Sequence, residues 1–157
     1  MKRRINVRGI IYNNGKLFAV RHRRPEGEAD FWCTPGGGLE DGESLTDGIR
    51  REIIEETGVT PVVGRIVAIQ QFTKDPAVVY DYDEFLEFFF HIENANDFEH
   101  IDLAATTHGE AEIKDAAFVE IENTEVLPKF LRSFNYSTIA DNPVVVIVDE
   151  LTHHEQS

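Results

Sequence analysis

One stretch constrains this chain more than any other: a glycine run, an acidic turn and an amphipathic segment, GGGLEDGESLTDGIRREIIEETGV, at residues 36–59. Gly36, Gly37 and Gly38 let the backbone turn tightly or approach another group closely. Ser44 stands where a helix N-cap accepts a hydrogen bond from an orphan backbone N–H, and Gly58 closes the same helix. Between them Leu45, Ile49, Ile53 and Thr57 recur every four residues, which predicts a helix with those four packed inward. Glu52, Glu55 and Glu56 are spaced i, i+3 and i+4, so the three carboxylates share one face. Gly48 costs a helix interior about 1 kcal/mol relative to alanine, which points to close packing or local softness there.

Such a face is unfavourable without a partner, because like charges about 5 Å apart repel by roughly 3 kcal/mol at an effective dielectric near 20. A divalent cation reverses that sign. Carboxylate oxygens are hard ligands, and with no His or Cys interleaved the set suits Mg²⁺ or Mn²⁺ better than zinc. Taken alone, three glutamates read more simply as a solvated helix face.

The spacing of the whole stretch changes that balance. Gly37, Glu43, Arg51-Glu52-Ile53, Glu55-Glu56 and Gly58-Val59 occupy nine specified positions across 23 residues, and at each of them the stretch resembles the Nudix box. The resemblance covers residues 37–59 and implies an α/β protein with the Nudix fold, an α/β/α sandwich with a mixed β-sheet. It implies a MutT-like hydrolase that cleaves a nucleoside diphosphate linked to another moiety. Position by position, Glu52, Glu55 and Glu56 match the family's metal-binding glutamates, and the Gly36 carbonyl matches a backbone metal ligand. Glu43 and Arg51 match a structural ion pair that ties the helix to its preceding loop, for which bidentate Arg–carboxylate geometry is well suited.

The 157 residues fit a single domain over residues 1–157, and 41% hydrophobic content agrees with a globular chain. The first twenty residues carry no uninterrupted apolar run of signal length, and eighteen apolar residues occur nowhere together, so a cytoplasmic, unanchored protein is expected. Cys33 is the only cysteine; it forms no intrachain disulfide, and a small half-buried side chain is its simplest reading. A net charge of −14 argues against long nucleic acid and anionic membranes as partners. A small nucleotide or diphosphate substrate stays compatible, because bound cations invert the local field.

Residues 5–12 and 16–22 read as strands around Asn13-Asn14-Gly15, a strong hairpin signal. Arg21, His22, Arg23 and Arg24 form the densest basic cluster; as strand residues, Arg8 and Arg21 are the individual candidates for a substrate phosphate, against a plain basic surface with ion pairs. Residues 25–30 read as a polar loop. Residues 31–35 resemble the short aromatic strand before many Nudix boxes, with Trp32 read as core rather than a base platform. Residues 62–72 and 84–92 read as longer strands; Phe72, Tyr80 and Tyr82 can stack on a base, although half-buried strand aromatics are commoner.

Residues 93–114 turn polar with no countable period, a loop length that is often functional. Glu110 and Glu112 stand just before a strand at residues 113–121. The resemblance implies a further acid from this region that completes the metal site or activates water. Glu112 is the first choice, Glu110 the second and His108 more remote; Glu52 is a further candidate for the base. The resemblance continues through residues 118–121, then 126–134, which suit the family's last core strand and a packed helix beginning near Thr124. Beyond Pro143, residues 143–149 form a β-branched run that reads as an extra strand, with a homodimer edge as one use. His153 and His154 are too few and too terminal for a metal site.

The reading is therefore a Mg²⁺- or Mn²⁺-dependent pyrophosphohydrolase acting on a nucleoside triphosphate, an oxidised one included, or a nucleotide sugar. The alternative is a catalytically silent Nudix-like domain that binds a nucleotide as a regulatory signal. No downstream signature separates the substrate subclasses.

Overall fold

Apolar alternation and turn chemistry divide the chain into short strands around one long helix. The computed structural model describes residues 2–23, 31–74, 81–106, 109–142 and 144–151. Arg24, the 25–30 loop, Pro76, Tyr80, His108, Pro143, His153 and His154 lie outside the described residues, as does the side chain of Glu110.

Strand β1 (Arg3–Ile10) starts exposed and ends buried. The hairpin follows as β2 (Tyr12–Asn13) and β3 (Lys16–His22), with Asn14 at φ 51° and Gly15 at φ 79°. Both central residues are left-handed, as a two-residue type I′ turn requires. β4 (Trp32–Cys33) and β5 (Gly36–Gly38) come next, then α1 (Leu45–Thr57). β6 (Val63–Thr73) and β7 (Glu84–Ile92) are the two long strands anticipated after the helix. Two 3-10 turns and the four-residue α2 (Gly109–Glu112) fill the polar region and lead into β8 (Ile113–Val119). β9 (Val126–Leu127), a 3-10 turn at Lys129–Arg132 and β10 (Val146–Glu150) finish the chain.

Five strands form a mixed sheet in the order β10-β6-β7-β1-β5, with β1 parallel to β7 and antiparallel to β5. The second sheet gathers around β3, which pairs with β2 and β4 and, along its other edge, with β8. One apolar cluster holds Val7, Phe18, Ile49, Ile53 and Phe98, and so joins α1 to strands of both sheets. Gly9 lets β1 approach this helix: a Cβ there would stand 2.9 Å from Ile53 Cδ1. The other cluster holds Ile10, Ala68, Phe89, Leu131, Tyr136 and Ile139 on the opposite face of the first sheet.

The α/β class with mixed sheets is as expected, but two local expectations differ. The glycine run, read as a turn, is also strand β5, since β1 offers it a free edge. The expected helix near Thr124 is instead a short strand and a 3-10 turn, because Pro128 has no N–H to give and drives Leu127 out of helical geometry. That segment still covers the sheet face through Leu131 and Tyr136. β10 does form, parallel to β6 at the sheet edge. Among the described residues no helix is long and apolar enough to cross a membrane.

Candidate active site

The site is built where β5 passes under α1. Ser44 caps the helix by accepting from Asp47 N at 3.1 Å, and Gly58, at φ 74°, closes it with its N–H on Ile54 O. Gly36 has φ 147°, and a Cβ there would lie 2.0 Å from Val7 O, so only glycine permits this pairing with β1. At Gly37 the place of a Cβ is taken by the Glu52 carboxyl, 2.6 Å away. The helix therefore lays a carboxylate directly on bare backbone. Gly48 marks close packing as well, with Leu39 Cδ1 2.6 Å from where its Cβ would be.

The three helix glutamates occupy different environments. Glu56 is turned inward and only 2% exposed; its Oε1 accepts from Gly36 N at 3.1 Å, and its Oε2 is buried with no hydrogen-bond partner. Burial pushes its carboxyl up to about 8, against the opposing Gly36 hydrogen bond and Arg8 charge, while Glu52 and Glu112 push the same way as burial. Glu52 is likewise raised by burial, with Arg51 opposing. Glu55 stays half-buried nearer the surface.

Arg51 organises the polar side of this arrangement. Its Nε and Nη2 donate to the two Glu43 oxygens at 2.8 and 3.0 Å, and Nη2 also reaches Gly38 O at 3.1 Å. Nη1 donates to Glu52 at 3.0 Å and to Glu55 at 3.2 Å. The second of these is an i, i+4 pair on the helix, and the first joins residues adjacent in sequence. The Arg51 hydrogen bond in turn holds the Glu43 carboxyl below its usual range.

Glu112 ends α2, and its charge is felt at Glu56; its backbone oxygen accepts from Arg23 N at 2.7 Å. The approach of α2 depends on Gly109, whose absent Cβ would lie 2.9 Å from Glu56 O. The two candidate phosphate arginines are both committed to carboxylates. Arg8 donates to Glu87 Oε2 at 2.9 Å and to Thr34 O at 3.1 Å. Burial alone would lower this guanidinium, but the Glu87 charge and hydrogen bond hold it above its ordinary value. Arg21 pairs with Asp115 of β8, with its guanidinium 4.8 Å from the Trp32 ring centroid. Strand geometry explains both cases: each arginine meets an acid on the neighbouring strand of its own sheet before it can meet a ligand.

Phe72 is also spoken for, stacked on Phe85 at 4.9 Å, with Tyr82 6.4 Å from the same ring. Sequence reasoning missed Glu87 and Asn6. A charge inside the run Leu86-Glu87-Phe88 was the available signal, since a buried carboxylate needs a partner.

Among the described residues, no three His, Cys, Asp or Glu side chains converge tightly enough to cage an ion. The donor chemistry nevertheless fits a hard divalent cation. Glu56 Oε2 is an unpartnered buried oxygen, and Glu52 and Glu55 stand on the same helix, held by an arginine rather than by each other.

A family model described as the NUDIX domain matches residues 2–141. An 8-oxo-dGTP diphosphatase of Buchnera aphidicola subsp. Schizaphis graminum is 36% identical over 53 residues, 34% of this chain and 41% of that protein. The CTP pyrophosphohydrolase of Escherichia coli K12 is 34% identical over 65 residues, 41% of this chain and 48% of that protein. The chain thus matches less than half the length of these curated relatives. The solution structure of the E. coli ORF135 protein is similar with a TM-score of 0.63 at 21% identity, covering 92% of this chain and 96% of that one. The MutT protein from Methanosarcina mazei Go1 gives a TM-score of 0.60 at 25% identity, covering 84% and 89%. The glycine-floored glutamate helix thus sits in a fold shared with those proteins, and the match over residues 2–141 makes this chain a member of the NUDIX family.

Proposed function

We propose that this chain is a metal-dependent pyrophosphohydrolase of nucleoside triphosphates. The observation that carries the reading is Glu56: a carboxylate buried at the floor of a glycine cradle, one oxygen on Gly36 N and the other without a partner. An oxygen left in that state is costly unless a ligand completes it. Triphosphates are favoured over nucleotide sugars because the 8-oxo-dGTP diphosphatase and the CTP pyrophosphohydrolase are named for them.

Glu52, Glu55 and Glu56, with the Gly36 carbonyl, would hold Mg²⁺ or Mn²⁺, and Glu112 would add a further oxygen. When bound, the cation supplies neutralisation of the diphosphate oxygens as charge develops. The chain's own residues do the rest. Arg51, locked by Glu43 and Gly38 O, fixes Glu52 and Glu55 in orientation. Glu52 takes the proton of the attacking water, since burial has already raised its affinity for one. Gly37 and Gly38 carry no Cβ, so the Glu52 carboxyl and the Arg4 guanidinium lie 2.6 Å and 2.7 Å from where their Cβ atoms would stand.

The test is pyrophosphate or phosphate release from a panel of nucleoside triphosphates, oxidised purine forms included, with Mg²⁺, with Mn²⁺ and with chelator. Activity should require the cation, and Glu56→Gln should keep the fold while losing at least about a hundredfold in rate. Chelator-resistant turnover would refute the metal assignment. Nucleotide binding without turnover on any compound would favour a silent regulatory domain.

A further inference from the structure

Strand β8 is paired along one edge and open along the other. It meets β3 from Leu17 opposite Val119 to Arg21 opposite Asp115, and among the described residues no other strand pairs with it. Phe18 N donates to Ile11 O at 2.8 Å, toward the β2 edge of β3, so the alternating backbone turns Leu17, Ala19 and Arg21 toward β8. Their register partners Val119, Ala117 and Asp115 take those bonds. Ala116 and Phe118 therefore aim both N–H groups and both carbonyls away from the sheet, where no other described residue bonds to them. The Phe118 ring is turned inward, 5.4 Å from the Phe18 centroid, so its backbone is what the edge presents. An open groove of about 670 Å³, lined by Phe98, Ile101 and residues 116–118, leaves room beside that edge.

Unpaired edges invite another strand, and proteins usually blunt them with charges or irregularity. The charges on this edge suit one strand in particular, which is its own copy. Residues 113–121 read IKDAAFVEI. Turned antiparallel on itself about Ala117, the stretch sets Ala116 opposite Phe118, Asp115 opposite Val119 and Lys114 opposite Glu120. Ala116 and Phe118 then exchange backbone bonds, which satisfies the outward groups of both copies. Ala117, exposed in one chain, falls on the axis at a closely spaced position, where a methyl is small enough to meet itself. Lys114 and Glu120, also exposed, each gain an opposite charge, and no like charges face each other. Moving the axis to Ala116 sets Lys114 opposite Phe118 and loses both ion pairs. β10 has no such symmetry: about Val148 its Asp149 and Glu150 face Ile147 and Val146, in a chain of net charge −14.

We infer that two copies of this chain pair β8 to β8 across a two-fold axis at Ala117, joining their second sheets into one. An isologous contact of this kind closes on itself, so assembly stops at the dimer.

The test is sedimentation velocity of the full chain over a range of concentrations. Wild type should sediment with twice the mass of one chain. Ala116→Pro removes an N–H that the single chain does not use, so it should fold and sediment as a monomer. Charge reversal is the second probe if proline disturbs the strand. Lys114→Glu and Glu120→Lys should each weaken the dimer roughly tenfold or more, and the two together should restore it. Ile147→Ser, on β10, should leave it intact. A single-chain mass at every concentration up to the millimolar range, a dimer that withstands Ala116→Pro in a folded chain, or one that Ile147→Ser disperses overturns the inference. So do single reversals without effect, or a double variant as weak as they are. None of these readouts depends on hydrolysis.

Discussion

In residues 36–59 nearly every side chain answers to a neighbour set by spacing along the chain, whereas in residues 120–151 the structure is held by apolar area that many sequences could supply. The first region has a glycine that cannot carry a Cβ, a glutamate seated on bare backbone, and an arginine that meets Glu43, Glu52, Glu55 and Gly38 O at once. The second is a two-residue strand, a 3-10 turn and an edge strand, anchored by Leu131, Tyr136 and Ile139. Its polar contacts include Tyr136 Oη donating to Leu131 O at 2.6 Å and Ile139 O accepting from Arg65 Nη2 at 2.9 Å. The contrast separates geometry that tolerates almost no change from packing that tolerates volume-conserving change.

The sharpest way to break the comparison is at Gly36. Gly36→Ala would place a methyl 2.0 Å from Val7 O with φ at 147°, and the obstacle is backbone, which cannot rotate away. Separation of β5 from β1 is the only relief. Urea unfolding should show a loss of at least about 3 kcal/mol, in the range reserved for specific mechanisms of this kind. A loss below 1 kcal/mol would mean that β5 can detach without consequence and that the cradle is far looser than its contacts indicate.

The same contrast explains what was legible in sequence. The spacing of Gly37, Glu43, Arg51 and the glutamates encodes local geometry, so the helix, its caps and the Glu43–Arg51 contact could be read residue by residue. β6 and β7 were legible because their apolar content is long and bounded by turns. Glu56 shows the limit: its i+4 spacing puts it near Glu52, yet only tertiary packing tells that it is buried while Glu55 is not. Arg8 and Arg21 were placed on strands correctly, but their acids, Glu87 and Asp115, come from strands 79 and 94 residues away in sequence. The helix that the resemblance implies near Thr124 does not form, because Pro128 lacks an N–H and keeps Leu127 out of helical geometry.

A second and smaller effect concerns pH. The Glu56 carboxyl is held at about 8 in the folded chain against 4.5 ordinarily. Between those values the folded state keeps a proton that the unfolded state has lost, so this group's stabilisation is full below about 4.5 and falls as pH rises toward 8. The steepest slope it can contribute is roughly 1.4 kcal/mol per pH unit. In chelator, wild type should therefore lose melting temperature between pH 5 and pH 8 relative to Glu56→Gln, which cannot ionise. Added Mg²⁺ should restore wild type at pH 8 and leave the variant unmoved, because a cation favours the ionised carboxylate. Parallel melting curves for the two proteins across this range would show that Glu56 is ionised when folded.

The smallest effect belongs to the other region and tests whether its tolerance is real. Ile147 of β10 is 66% exposed, Val146 and Val144 are exposed beside it, and β10 has β6 on one side with no further strand on the other among the described residues. Ile147→Ser removes little buried area, so the expected change in stability is within about 0.5 kcal/mol, with an unchanged sedimentation coefficient. The strand's unpaired edge nevertheless offers backbone donors and acceptors to a second copy of the chain. If wild type melts higher as its concentration rises, and Ile147→Ser abolishes that dependence, then β10 is specified by a partner copy. In that case the tolerance seen in residues 120–151 ends at residue 142, and the edge strand joins the glycine cradle as a place where a neighbour sets the residue.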